Sequence, residues 1–432
     1  MTPGASFPST SWTLPNGLSV IVAERRHLPV VSMSLLVRAG TRQEGMGQAG
    51  LASFAASLLT RGTTLRDARR LAEDIDGLGA HCGAHADSDY SVVSLSCLSR
   101  DQETGARMLA EIATSPAFRN EDVEKRRDDI LSFLKREVDL PHVPVRNRFN
   151  ARLYGAHPYH HPREGTVETI RSMDREGLDA FHRRQYRPAN AFLAVVGDCD
   201  PAGFDRIAAD AFGAWEPVAV PETVVPPLPV TATRTVDAIQ KDGMTQATIR
   251  AGCLGIERRS EDYVAVSLLN YILGAGGFGS RLMKRLRERE GLTYGVSSIF
   301  APRLDRGPFY VTLQTGTETM NQALAATVEE LSLLREEGVT PEELDWARRF
   351  YTGNLPLSFE TNDQIATRVL ERELFGLEEE YWLRDLERMD QVTPAAVHEA
   401  ARRYLDVERL TVVCLADFRE APLAREFTPA PA

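Results

Sequence analysis

Histidine and cysteine are the side chains best suited to hold a transition metal, and this chain carries nine of the first and five of the second. Their spacing does not assemble a site. Cys82, Cys97, Cys199, Cys253 and Cys414 are odd in number and include no C-x-x-C pair, so neither a cysteine zinc site nor a disulfide framework is indicated. Cys97, in SVVSLSCL, has the setting of a buried strand thiol. His81 and His85, in AHCGAHAD, fall on one face of a strand but too far apart to chelate one ion together. His157, His160 and His161 sit in a loop broken by prolines. The stretch GLASFAASLLTRGTT, residues 50–64, has ligand spacing without ligands. Leu51, Phe54, Ala55 and Leu58 make one apolar helix stripe. The opposite face repeats the i, i+3, i+4 spacing with Ser53, Ala56, Ser57 and Thr60, all small and chemically quiet.

The elements that position these residues follow from composition and pattern. At 432 residues, 43% apolar and 26% charged, the chain reads as a globular protein of more than one domain. A net charge of −11 argues against a nucleic-acid partner. The longest apolar runs, such as LTVVCLA at 410–416, fall short of the ~18 residues a membrane span needs. The start, MTPGASFPSTSW, shows no signal peptide, and the expectation is a soluble protein of a bacterial cytoplasm or periplasm. The segment PVAVPETVVPPLP, 217–229, reads as an extended linker because proline at this density continues neither helix nor central strand. The boundaries expected are therefore a first domain 1–216, a linker 217–235 and a second domain 236–432.

The two halves echo each other. Residues 178–198 and 397–417 each read as a helix ending near a tyrosine (Tyr186, Tyr404), a short turn, and an apolar strand closing on an aspartate. Strands are grouped rather than alternating with helices: LSVIVAE, VVSMSLLVRAG and SDYSVVSLSCL in the first half, TQATIRAGCLG and PFYVTLQTG in the second. That pattern predicts an α+β fold of two homologous halves, each a mostly antiparallel sheet with helices packed on one face.

Three further stretches carry a family resemblance: GTRQEGMGQAGLASFAASLLTRGT, HPYHHPREGT at 157–166, and LGAGGFGSRLMKRLREREGLTYGV. Over nearly its whole length the chain resembles the M16 zinc peptidases, the pitrilysin and mitochondrial processing peptidase family, in its smaller two-domain M16B form with the LuxS/MPP-like fold. Active members carry His-x-x-Glu-His on the first-half helix just before a Gly-Thr, two histidines binding zinc and the glutamate activating water. Anchored on Gly62 and Thr63, those positions fall on Ser53, Ala56 and Ser57. The third ligand, a glutamate on a later helix, falls on Phe133, with Glu137 one turn on as the alternative. Hydroxyls are poor zinc ligands and Ala56 takes no proton; a general base alone is worth ~10²–10⁴ in rate. The resemblance implies no metal in this chain and no peptidase activity by itself. The histidine-rich loop is shared with active relatives, which do not use it for metal.

In the second half the family's working residues are present. Taken alone, Arg287 is one of four arginines on a charged helix and Tyr294 an ordinary strand aromatic. Ser280 and Gly291 suit the two caps of that helix, which would put Arg287 in its last turn and Tyr294 at the start of the next strand. By resemblance, Arg287 and Tyr294 are the pair that binds the substrate backbone and stabilises the oxyanion at the zinc site, a catalytic role. GAGGFG, 274–279, resembles the glycine-rich loop of the non-catalytic subunits and makes Gly276 and Gly277 candidate substrate-binding residues beside Arg287; a flexible turn is the alternative. The arrangement implied is a zinc-less subunit of a heterodimeric zinc metalloendopeptidase, clamping an unstructured peptide and serving a zinc-bearing homologue as partner, with Zn²⁺ in that partner. The alternatives are a silent peptide-binding module and a structural scaffold like the core subunits of respiratory complexes.

Overall fold

The computed structural model describes residues 8–427. The chain folds as two compact units. The first gathers residues up to 136 with 161–226 and 355–381; the second gathers 137–160, 227–354 and 382 onward. These units do not follow the contiguous halves 1–216 and 236–432, because a helix from each half of the sequence belongs to the other unit.

The first unit is built on a six-stranded sheet of β1 (Ser9–Thr13), β2 (Ser19–Glu24), β3 (Val30–Val37), β4 (His81–Ala86), β5 (Ser91–Leu98) and β6 (Ala191–Gly197), in the order β1-β2-β6-β3-β5-β4. Only β2 and β6 run parallel. Val31, Met33 and Leu35 of β3 join Val93, Leu95 and Cys97 of β5 in the main core, where the helix Gln102–Thr114 packs. Gly105 of that helix is required by closeness: a Cβ there would lie 2.9 Å from the Cys97 sulfur and the Met33 methyl. The opposite face of β3 carries Ser32 and Ser34, also buried, because the helix Asn362–Phe375 covers it. Thr361 caps that helix by accepting the Gln364 N–H, and Asp363 accepts from Ser96.

The second unit repeats the plan with β7 (Thr235–Gln240), β8 (Gln246–Leu254), β9 (Val296–Phe300), β10 (Pro308–Gly316) and β11 (Thr411–Ala416), ordered β7-β11-β8-β10-β9. β11 is parallel to β7 and antiparallel to β8, as β6 is parallel to β2 and antiparallel to β3. The echo in the sequence is thus an echo in topology: the helices Arg175–Gln185 and Pro394–Tyr404 feed β6 and β11 at equivalent places. Ile249, Ala251 and Cys253 face a core of helices, while Val413 and Leu415 face Val145, Phe149 and Leu153 of the helix His142–Tyr154. Helices therefore lie on both faces of each central strand pair, a second layer in addition to the one expected.

Residues 217–233 hold no helix or strand, in keeping with the proline-rich linker. Four of the five cysteines are buried, Cys82 is half-buried, and all five are free thiols. No helix among the described residues is long and apolar enough to cross a membrane. In each sheet one edge strand lines a cavity of its own unit: β4 in the first, β9 in the second.

Candidate functional site

The helix Leu51–Leu58 starts at Gly50, whose φ of +91° and close approach to Gly165 both require glycine. Its first turn is held by a residue that no local pattern singles out. Glu44, 4% exposed, accepts the N–H groups of Ala52 at 2.9 Å and Gly50 at 3.3 Å at the N-terminus of the helix. His161 Nδ1 lies 3.0 Å from the same carboxylate. Burial pushes the Glu44 carboxyl well up, against the pull of those backbone N–H groups, and pushes the His161 imidazole down. One of the three loop histidines is therefore used to anchor the helix. His157, also buried, pairs with Asp305 at 3.3 Å.

Ser53 and Ser57 turn toward a cavity of about 560 Å³, closed on other sides by β4 and by the helix Asn120–Glu137. Ala56, at the third position of that face, is fully buried. Ser57 Oγ donates to Phe54 O at 2.8 Å and accepts from Arg126 Nε at 2.9 Å. Phe133, 39% exposed, lines the cavity; Glu137, the alternative to it, does not. These residues do not fit zinc. Two neutral hydroxyls, a methyl and a phenyl ring stand at the positions where the resemblance leads one to expect donors, and a guanidinium stands against Ser57. Among the described residues no three His, Cys, Asp or Glu side chains converge as a metal-ligating group.

In the second unit the helix Tyr263–Asn270 widens into a π turn at Tyr271–Ala275, and the helix carrying Arg287 is π-wound over Met283–Arg289. Such turns shift the register of the side chains beyond them. Between the two lies the glycine-rich segment, and its glycines serve different ends. A Cβ on Gly276 or Gly279 would come within 2.2 or 2.4 Å of the Trp346 ring, so these two exist to let that ring in. Gly277, at φ +59° with nothing within 4 Å, lines an open cavity of about 870 Å³; Gly276 does not. Ser280 does not cap the helix as expected: its hydroxyl donates to Gly277 O. Gly291 does turn left-handed (φ +62°), and Leu292 N–H closes on Leu286 O at 2.7 Å.

The structure brings Arg287 and Tyr294 together. Arg287 Nη1 donates to the Tyr294 carbonyl at 2.7 Å, and its guanidinium carbon lies 4.7 Å from the Phe278 ring centroid. Tyr294 is not the first residue of a strand; it stands in the turn before β9, with 87% of its surface exposed. The buried Thr293 hydroxyl pins that turn by donating to Gln314 O at 2.6 Å and accepting from Gly295 N–H at 3.0 Å. The neighbouring arginines are used elsewhere: Arg281 grips Glu343 with two bonds of 2.7 Å, and Arg285 pairs with Glu290, Glu329 and Glu330. Tyr294 lines the cavity and offers its phenol to solvent, while Arg287, held on the carbonyl of the same residue, does not line it; both groups can donate to a peptide carbonyl or to an oxyanion.

Two family models match the chain: one described as insulinase (peptidase family M16) over residues 20–167, and one described as peptidase M16 inactive domain over residues 172–351. An uncharacterized zinc protease of Mycobacterium tuberculosis is 28% identical over 412 residues, 93% of each chain. Another from Streptomyces coelicolor is 27% identical over 400 residues, 91% of this chain and 86% of that protein. Among solved structures, the peptidase M16 inactive domain from Pseudomonas fluorescens superposes with a TM-score of 0.89 at 30% identity, covering 94% of this chain and 98% of that one. A protease from Helicobacter pylori shares the fold with a TM-score of 0.87 at 20% identity, over 95% and 100% of the two chains.

Proposed function

The chain belongs to the M16 peptidase family, and on that premise we propose that it is the zinc-free subunit of a two-chain metallopeptidase, clamping an unstructured peptide and supplying Arg287 and Tyr294 to the zinc site of a homologous partner. The observation that carries this reading is an asymmetry. Where the family places its donors, this chain has Ser53, Ala56 and Ser57 on Leu51–Leu58 and Phe133 on Asn120–Glu137. The Arg287–Tyr294 pair is present, with half-buried Arg287 bonded to the Tyr294 carbonyl and the phenol presented outward. A protein that served only as a scaffold would have no use for a phenol held in the open by a pinned turn. Arg287 would hold a peptide carbonyl through the guanidinium donors it does not spend on Tyr294, and Tyr294 would donate its O–H to the oxyanion that forms as the partner hydrolyses the bond. Each of the edges β4 and β9, taken within its own unit and with no strand on its outer side among the described residues, offers backbone N–H and C=O groups that an extended peptide can pair with.

Co-expression with a homologue that carries His-x-x-Glu-His tests assembly. A 1:1 complex by light scattering, with one zinc per pair, is the expected result. Two chains that elute separately at micromolar concentration would remove the heterodimer.

A further inference from the structure

We propose that the cavity over the small-residue face of Leu51–Leu58 is a carboxylate-binding subsite, built on Arg126, that receives an acidic group of the bound peptide. The proposal rests on the reading of the chain as a peptide-clamping subunit. Arg126 is held in place rather than waving in solvent. Its Nε donates to Ser57 Oγ at 2.9 Å, and Ser57 is fixed in turn by its 2.8 Å bond to Phe54 O. The terminal nitrogens of the guanidinium make no hydrogen bond among the described residues, and the nearest carboxylate oxygen, Asp129 Oδ2, is 4.0 Å away. A fixed guanidinium with two unspent amino groups is the fork that a carboxylate matches.

The surroundings favour an anion. Three guanidinium groups line the cavity, those of Arg126, Arg136 and Arg163, against two carboxylates, Asp129 and Glu164, an excess of one positive charge. Glu164 is engaged with Arg163 at 3.2 Å. Burial lowers the Arg126 pKa, against the raising pull of Asp129 and with a smaller lowering one from Arg61. Phe54, Ile130 and Phe133 supply an apolar wall that strengthens a charged hydrogen bond. An excess of one charge suits a carboxylate better than a dianion. The volume of about 560 Å³ falls in the ~300–1,000 Å³ range of ligand sites. The cavity also adjoins the edge strand β4 through Ala84 and His85, so a peptide laid along that edge would reach Arg126 with a side chain or with its end.

The test uses the purified full-length chain and fluorescein-labelled unstructured peptides in two matched pairs, one differing by a single internal Glu or Gln, the other by a free or amidated C-terminus. The expected result is about tenfold tighter binding of the acid member of one pair, which tells side chain from chain end. Arg126→Gln should bring the two members to within about twofold, and Arg126→Lys should keep part of the preference. Equal binding within both pairs by the wild-type chain would overturn the subsite while leaving the clamping reading in place. If no peptide binds, the clamping reading fails, and N-acetylglutamate alone decides the subsite. A saturable shift of an arginine Nε–H resonance, absent in Arg126→Gln, would sustain it, and no shift would overturn it.

Discussion

Replacing Tyr294 by Phe removes one oxygen atom and, among the described residues, no hydrogen bond. The phenol is 87% exposed, the Arg287 bond goes to the Tyr294 backbone carbonyl, and Thr293 holds the turn through its own hydroxyl. Stability should therefore change by less than about 0.5 kcal/mol, as for an ordinary surface substitution. Activity should change far more. Loss of one donor to an oxyanion costs ~10²–10³ in kcat, or about 2.7–4 kcal/mol of transition-state stabilisation. The assay is hydrolysis of an internally quenched peptide by the complex of this chain with a zinc-bearing homologue, with kcat and KM resolved and the mass and zinc content of each complex checked. Arg287→Ala should in addition raise KM, because it removes a guanidinium that would donate to the peptide and that donates to the Tyr294 carbonyl. Arg289→Ala, on the same helix but exposed and with no partner among the described residues, is the control. Arg285 would be a poor control, since it binds three carboxylates. A Tyr294→Phe complex whose kcat/KM stays within about twofold of wild type refutes the role of the hydroxyl, and the scaffold reading would then describe the protein better.

Gly276→Ala should destabilise the second unit by ~1–3 kcal/mol in urea titration, because the new methyl meets the Trp346 ring. Gly277→Ala should cost only the ~1–2 kcal/mol of a left-handed alanine; equal losses would contradict the packing account. Arg285→Ala, which strips a side chain only 19% exposed from three carboxylates, should lower stability by ~1–2 kcal/mol without touching peptide affinity. Burial holds the His182 pKa down at about 4 against its hydrogen bond to Ala113 O at 2.8 Å. A depressed histidine contributes stability above its unfolded pKa of ~6.5 that is lost on acidification at ~1.4 kcal/mol per pH unit until pH ~4. His182→Gln should flatten the pH dependence of urea unfolding in that window, and an unchanged slope would assign it to other groups. The purified chain should contain far less than one zinc per molecule and keep its melting temperature in chelator; stoichiometric zinc would refute the conclusion that Ser53, Ser57 and Phe133 leave no place for the ion.

Much of the site is legible in the sequence because it lies in local spacing. The i, i+3, i+4 face of Ser53, Ala56 and Ser57 is a property of one helix, and the seven-residue step from Arg287 to Tyr294 spans one helix end and one turn. Both become readable as chemistry only beside the family pattern. What cannot be read depends on contacts between distant segments. Glu44 and His161 are 117 residues apart, and nothing near either marks it as the anchor of a helix. Arg126 is one charge among many on Asn120–Glu137, and its bond to Ser57 spans 69 residues. Periodicity reports that the helices His142–Tyr154 and Asn362–Phe375 have an apolar face but not which sheet that face covers, so contiguous boundaries miss the exchange. Ser280 resembles a cap because helix caps are local statistics, whereas the π winding that follows is set by packing. The two glycines against Trp346 resemble a flexible loop for the same reason.

The central claim is that this chain completes a zinc site it does not itself contain. The direct measurement is peptide hydrolysis by this chain alone, by a zinc-bearing homologue alone, and by the two mixed in equal amounts, each with and without chelator. The predicted result is chelator-sensitive cleavage in the mixture at a rate at least ~10² above either chain alone, the scale of the donor this chain supplies. Cleavage by this chain alone, or a homologue that is as fast alone as in the mixture, would contradict it.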